Sequence, residues 1–270
     1  MPLTLKKPSF LRPVGGERVS PNQTGARIEI RRISKRFGTR REELPLVLEN
    51  IDLEIGGNEF VSIAGRSGCG KTTLLNIIAG LLEQTTGEVL VNGTRVTGPG
   101  QGKGMVFQQH ALFPWLTARE NIAFGCSNQG LGKAERKQIV ADLLTLVGLE
   151  GQGDLYPIQL SGGMQQRVAI ARAMALDPQV LLMDEPFASL DEFTRMDMQS
   201  ELLRIWASKK KTIVFVTHNI VEALILSDRI IVLTANPGRV AKDVRVELER
   251  PRKRSDPRLL KLYDEISEAL

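Results

Sequence analysis

Apolar and polar positions first fall into a regular pattern near residue 27. Residues 27–33 alternate, residues 46–55 alternate again, and 60–64 form a nearly continuous apolar run. A period of two marks a half-buried strand, and a short apolar run marks a strand buried on both faces. A Gly-rich turn follows, and 72–82 is long and apolar enough for a helix packed on a sheet. The stretch 87–91 ahead of Asn92-Gly93 predicts a hairpin, and 105–107 predicts another short strand. Between 133 and 147, Ile139, Leu143 and Val147 share one helical face with Val140 and Leu144 beside them, and Gly148 supplies a stop. Ser161 can N-cap a helix running to about Leu176. Strand signals return at 180–183, 213–216 and 229–233, with helices over 192–206 and 219–227 between them. Alternating strand and helix predicts a parallel sheet covered on both faces, with residues 109 to about 165 as a mostly helical insertion.

Composition bounds this picture without deciding it. The chain has 270 residues, 42% hydrophobic and 25% charged, with a net charge of +5, which excludes wholesale disorder and low-complexity architectures. No apolar run approaches the ~20 residues of a membrane helix, and the first sixteen residues lack the apolar core of a signal peptide. Two cysteines, Cys69 and Cys126, cannot build a disulfide framework and favour a reducing setting. The positive charge is concentrated in one place. Residues 1–41 carry 11 basic against 2 acidic side chains, whereas 42–241 carry 17 against 22. Residues 1–26 therefore read as a flexible basic arm on a mildly acidic body, and a nucleic-acid partner loses its support.

The chemistry concentrates in three segments. Gly65-Arg66-Ser67-Gly68-Cys69-Gly70-Lys71-Thr72 fits G-x-x-x-x-G-K-[ST] between an expected strand and helix. Glycines let backbone N–H groups curl around phosphate oxygens, and the helix N-terminus adds its positive dipole end. Lys71 would neutralise β- and γ-phosphates and the Thr72 hydroxyl would ligate Mg²⁺. In 180–185, four apolar residues deliver Asp184 and Glu185 to the end of a buried strand, where open parallel sheets bind ligands. Asp184 there suits Mg²⁺, and Glu185 suits polarising a water. In Leu160-Ser161-Gly162-Gly163-Met164-Gln165-Gln166, a serine hydroxyl and two bare amides open a helix as a second anion site. A phosphate loop alone would also serve a small-molecule kinase, but such an enzyme has no use for this third segment.

Together these motifs resemble the ATP-binding subunit of an ABC transporter over nearly all of 27–242. The resemblance implies an α/β fold: a P-loop NTPase (RecA-like) core with an antiparallel β subdomain and an inserted α-helical subdomain at about 109–165, then a C-terminal extension over 243–270. It implies ATP hydrolysis with Mg²⁺, the metal held by Thr72, Asp184 and Gln108, and the phosphates held by the loop from Gly65 through Lys71, Thr72 and Thr73. Catalytic roles fall to Glu185, His218, Gln108 and Lys71. Ser161, Gly162 and Gly163 would close over ATP on a second copy, with Asp191 of Ser189-Leu190-Asp191 crossing that interface. Phe37, the only aromatic between 27 and 59, matches the adenine-stacking position, although a plain core residue fits it too. The implied partners are a second copy, integral membrane permease subunits and, indirectly, a periplasmic or lipid-anchored solute-binding protein. The implied place is the cytoplasmic face of the inner membrane. The 108–117 and 185–191 segments, 234–240 and the short tail with a possible helix from Pro257 are similar to importers for nitrate, aliphatic sulfonates and taurine. Phe113 to Trp115 would then lie near the permease's coupling helix. Two departures stand out: Asn219 replaces the usual Asp after the switch His, and Cys69 sits inside the phosphate loop, where amides and a helix dipole would lower its pKa.

Overall fold

The computed structural model describes residues 25–38, 44–100, 102–127 and 129–270. The expected basic arm at 1–26 lies almost wholly outside the described residues. Two sheets carry the fold. The smaller is antiparallel in the order β2-β1-β4-β5, built from β1 (Ile28–Arg36), β2 (Leu46–Ile55), β4 (Thr86–Val91) and β5 (Thr94–Arg95). Ile28 faces Ile55 and Ile30 faces Leu53, so the alternating apolar positions of both strands share one buried face.

The larger sheet runs β10-β9-β3-β8-β7-β6, from β3 (Phe60–Gly65), β6 (Lys103–Val106), β7 (Val180–Asp184), β8 (Thr212–Thr217), β9 (Arg229–Leu233) and β10 (Val240–Arg245). Five strands are parallel, and β10 closes one edge antiparallel to β9. The sequence pattern did not announce β10, whose only buried residue is Val244. An edge strand presents little apolar alternation, and the boundary expected at 242 falls inside it.

Both faces of the larger sheet are covered, and the alternation along its strands shows how. Leu182, Val214 and Val216 turn toward α1 (Lys71–Ala79) and the antiparallel sheet. Leu181, Met183, Ile213 and Phe215 turn toward the helical layer. That layer comprises α2 (Ala118–Gly125), α3 (Lys133–Leu146), α4 (Gly162–Met174) and α5 (Glu192–Lys209). Helix α4 begins at the end of the insertion expected at about 165 and runs on to Met174. Helix α2 begins with a capping box in which Thr117 Oγ1 accepts from the Glu120 amide and Glu120 reaches back to the Thr117 amide. A third apolar cluster joins α6 (Ile220–Leu226) and α7 (Pro257–Ser267) to Ala64, Ile230 and Val232. The tail helix expected from Pro257 is thus part of the packed body. No helix among the described residues is long and apolar enough to cross a membrane.

Candidate nucleotide site

The C-terminal ends of β3, β7 and β8 lie side by side and deliver the candidate residues to one sheet edge. From Gly65 the chain turns through exposed Arg66, Ser67 and Gly68 into α1. Gly68 and Gly70 adopt positive φ, 81° and 97°, which L side chains rarely take. A Cβ on Gly70 would come within 2.6 Å of the Leu48 side chain, and one on Gly65 within 2.5 Å of Cys69 Sγ. The glycines are therefore required by the turn itself as well as by any ligand. Helix α1 starts at Lys71 rather than Thr72 and ends at Ala79, three residues before the pattern predicted, with Gly80 as its left-handed C-cap.

Lys71 is buried, and its ammonium donates to the carbonyls of Gly65 at 2.8 Å and Arg66 at 3.1 Å. It also lies 4.0 Å from Glu185 Oε1. Thr72 Oγ1 donates to Asp184 Oδ1 at 3.0 Å. Burial pushes the Asp184 carboxyl up, opposed by the Thr72 hydrogen bond. Glu185 follows with φ of 42°, a strained conformation for a residue with a side chain, held by its amide donating to Val216 O at 3.0 Å. Glu185 Oε2 lies 2.8 Å from Nδ1 of His218, whose ring is largely exposed. Two chains of contact result: Thr72 to Asp184, and Lys71 through Glu185 to His218. Thr73 is half-buried in the first turn of α1.

Gln108 is exposed two residues beyond β6, and the pairing of Val106 with Met183 carries it out at the same edge as Asp184 and Glu185. The strand itself is Lys103–Val106, so Phe107 lies outside it and is exposed. Phe37 is also exposed, with the Lys35 ammonium 5.1 Å from its ring centre, which removes the core-residue alternative. Thr72 and Asp184 offer hard oxygen donors already in contact, the donor chemistry Mg²⁺ takes when substrate phosphates and water complete its shell. Cys69 corrects an expectation. It is fully buried, and burial pushes its thiol up, against the opposing influence of Lys71 and the loop amides.

The third segment stands elsewhere. Ser161 N-caps α4, its hydroxyl accepting from the Met164 amide at 3.3 Å, and it is exposed with Gly162. Asp191 caps α5, accepting from the Thr194 amide at 3.0 Å, and that cap holds its carboxyl below the usual range. Buried Gly163 lies where a Cβ would meet Thr194 at 2.7 Å, so the two helix starts are packed together. Among the described residues, no hydrogen bond or ion pair joins Ser161 to the Lys71, Glu185 and His218 group. Residues 48–188 match the sequence family described as ABC transporter.

The chain belongs to the ABC transporter family. It is 55% identical, over 81% of its length and 82% of the relative's, to an uncharacterized ABC transporter ATP-binding protein of Methanocaldococcus jannaschii. It is 46% identical to the taurine import ATP-binding protein TauB of Roseobacter denitrificans, covering 88% of this chain and 89% of that one. It is likewise 46% identical to the aliphatic sulfonates import ATP-binding protein SsuB of Bacillus cereus, covering 84% and 89%. Among solved structures, a dimeric bacterial ABC transporter cassette superposes with a TM-score of 0.72 at 35% identity, covering 82% of this chain and all of that one. A dimeric post-hydrolysis state of an ATP-binding cassette bound to ADP and Pi superposes at 0.71 and 34%, with the same coverage.

Motif reading passes over several residues that shape this ATP-binding subunit's site. Arg172, near the end of α4, donates to the carbonyls of His110 and Ala111 and stacks on Phe113, tying the segment after Gln108 to the helix that Ser161 begins. Glu222 is buried behind His218 and bonded to Thr217 and Gln199. The spacing Asn219-x-x-Glu222 was a usable signal, since it reads as a helix N-terminus.

Proposed function

We propose that this chain is the ATP-hydrolysing subunit of an importer and that two copies dimerise head-to-tail around two ATP molecules. One observation carries the reading: the phosphate-loop cluster and the exposed Ser161 helix start are both formed, yet among the described residues no hydrogen bond or ion pair joins them within one copy. A second copy turned end to end supplies the missing half of each site, and the dimeric state of the similar cassettes supports this. Gly65 to Thr73 cradle the phosphates. Lys71 exchanges its two carbonyl partners for phosphate oxygens. Thr72, Asp184 and Gln108 hold Mg²⁺, which when bound neutralises charge on the β- and γ-phosphates. Glu185, held between Lys71 and His218, orients the attacking water. His218 and the Ser161 hydroxyl of the other copy stabilise charge as it develops. Phe37 stacks against adenine, a contact that tolerates any base.

Closure and release of this dimer would drive separate permease subunits from the cytoplasmic face of the membrane. The cluster of Phe113, Trp115 and Phe124 supports a docking role. Phe113 lies 4.6 Å from the Phe124 ring and 5.6 Å from the Trp115 ring, and Trp115 and Phe124 are exposed. Aromatic side chains of this kind anchor protein interfaces. The named relatives support solutes of the taurine and aliphatic sulfonate class, and nitrate joins them only through the motif resemblance of the sequence. A solute-binding protein would select the solute.

The test is reconstitution with the permease that copurifies. Wild-type chain should hydrolyse ATP and drive uptake of a sulfonate, and Lys71→Ala should raise the Kd for ATP at least about tenfold, the worth of a charge-assisted hydrogen bond. Unchanged ATP affinity in Lys71→Ala, or copurification with ribosomes in place of a membrane protein, would overturn the reading.

A further inference from the structure

Glu222 is a buried carboxyl, 5% exposed, with no part in the phosphate chemistry above. It stands in the first turn of α6, where a glutamate usually reaches back to the N-cap amide. Here Asn219 Oδ1 accepts from the Glu222 amide at 3.2 Å, but the Glu222 carboxylate turns inward. Its Oε2 accepts from Thr217 Oγ1 at 2.6 Å, and Thr217 Oγ1 accepts from the Asn219 amide at 3.0 Å. A closed ring of hydrogen bonds therefore holds the residues on either side of His218. Among the described residues, the His218 ring is hydrogen-bonded to Glu185 alone.

The other carboxylate oxygen reaches a different element. Glu222 Oε1 accepts from Nε2 of Gln199, 4% exposed on α5. On the same helix, Arg195 donates to the carbonyls of Phe187 and Leu190 at 3.2 and 2.6 Å, fastening the stretch that follows Glu185. Helix α5 thus fixes both partners of the Glu185–His218 contact, one through Arg195 and the other through Gln199 and Glu222. Burial pushes the Glu222 carboxyl up, while Thr217, Gln199 and the charges of Arg195 and His218 pull the other way.

We propose that Glu222 is a positioning residue that sets where His218 presents its imidazole, and that it ties this placement to α5 and to Asp191 at its start. The inference rests on the proposed role of His218 in stabilising charge as it develops on the transferred phosphate. It predicts that removing the carboxylate impairs turnover through His218 and leaves nucleotide binding intact.

Glu222→Leu keeps the buried volume but leaves the Thr217 hydroxyl and the Gln199 amide unpaired, so the variant should fold with a lowered Tm and is assayed below it. Its kcat should fall at least tenfold while the Kd for ATP stays within twofold. Glu222→Gln and Thr217→Ser, which retain the Thr217 contact, should keep most of the turnover. Glu222→Leu should be no slower in a His218→Ala background than His218→Ala alone. The chain has two histidines, so imidazole NMR adds a direct reading: the His218 resonance should move in Glu222→Leu while that of His110 stays. A further tenfold loss in the double variant, or an unmoved His218 resonance, overturns this inference alone. Wild-type turnover in His218→Ala overturns the switch reading, and this inference falls with it.

Discussion

Glu185 Oε2 lies 2.8 Å from His218 Nδ1, and the other oxygen of the same carboxylate lies 4.0 Å from Lys71 Nζ. The three residues come from the ends of β7 and β8 and the start of α1. The pairing of Asp184 with Val216 sets Glu185 and His218 beside each other. A carboxylate so placed faces a cationic ammonium on one side and an imidazole on the other.

Glu185→Gln keeps the shape and the hydrogen-bond reach of this residue but removes its basicity. ATP should bind with near wild-type affinity, and kcat should fall by about 10²–10⁴-fold, the usual worth of a positioned general base. Steady-state ATPase assays with size-exclusion chromatography in MgATP check this, the variant accumulating as a dimer. Wild-type turnover would remove Glu185 from the mechanism.

Cys69 should resist alkylation in the folded protein. Its sulfur is fully buried against Gly65 and its thiol is pushed up by burial, so both access and thiolate population are low. Iodoacetamide labelling followed by mass spectrometry should modify Cys69 only in denaturant, equally with and without MgATP. Rapid native labelling that MgATP suppresses would restore the sequence-based expectation of an activated thiol.

Lys103 gives a pH signature. It is buried at the start of β6 with one weak bond, to Gly98 O at 3.4 Å, and burial lowers its pKa to about 8. Below pH 8 the folded protein carries this charge at a cost. Between about 8 and the ordinary lysine value the unfolded chain binds more protons, so stability rises with pH. Lys103→Met, which keeps the length and drops the charge, should therefore unfold at higher denaturant than wild type at pH 7. The difference should shrink from pH 8 to 10.5. A gain independent of pH would refute the assignment.

Gln166 is fully buried in α4, and neither amide atom has a hydrogen-bond partner among the described residues. An unsatisfied buried amide costs about 1–3 kcal/mol. Gln166→Met fills the same space without polar atoms and should raise the Tm by several degrees. A lowered Tm in a scanning calorimeter would mean that the amide is satisfied in solution.

Most of the element sequence was readable. Strong periodicity located β1, β2, β3, β7, β8 and β9, and the glycines and lysine of 65–72 pointed to a phosphate site because that backbone path needs those residue types. The cap residue Ser161 was legible for the same reason, since its side-chain chemistry acts within three residues, whereas the cap that Asp191 makes on α5 came only with the structure. Weaker signals failed at edges. Strand β10 buries only Val244, and α2 is short, its start fixed by a Thr117–Glu120 capping box.

What the sequence determined alone was local: which backbone turns, which helix starts and which apolar runs exist. Those depend on side chains a few residues apart. Tertiary structure decided the rest. It brought Thr72 to Asp184 across 112 positions and His218 to Glu185 across 33, and it buried Cys69 deeply enough to reverse the chemistry its motif suggested. Among the described residues it joined Ser161 to Lys71 by no hydrogen bond. Desolvation and long-range contact are properties of the packed chain, because each depends on residues that only the sheet order makes neighbours.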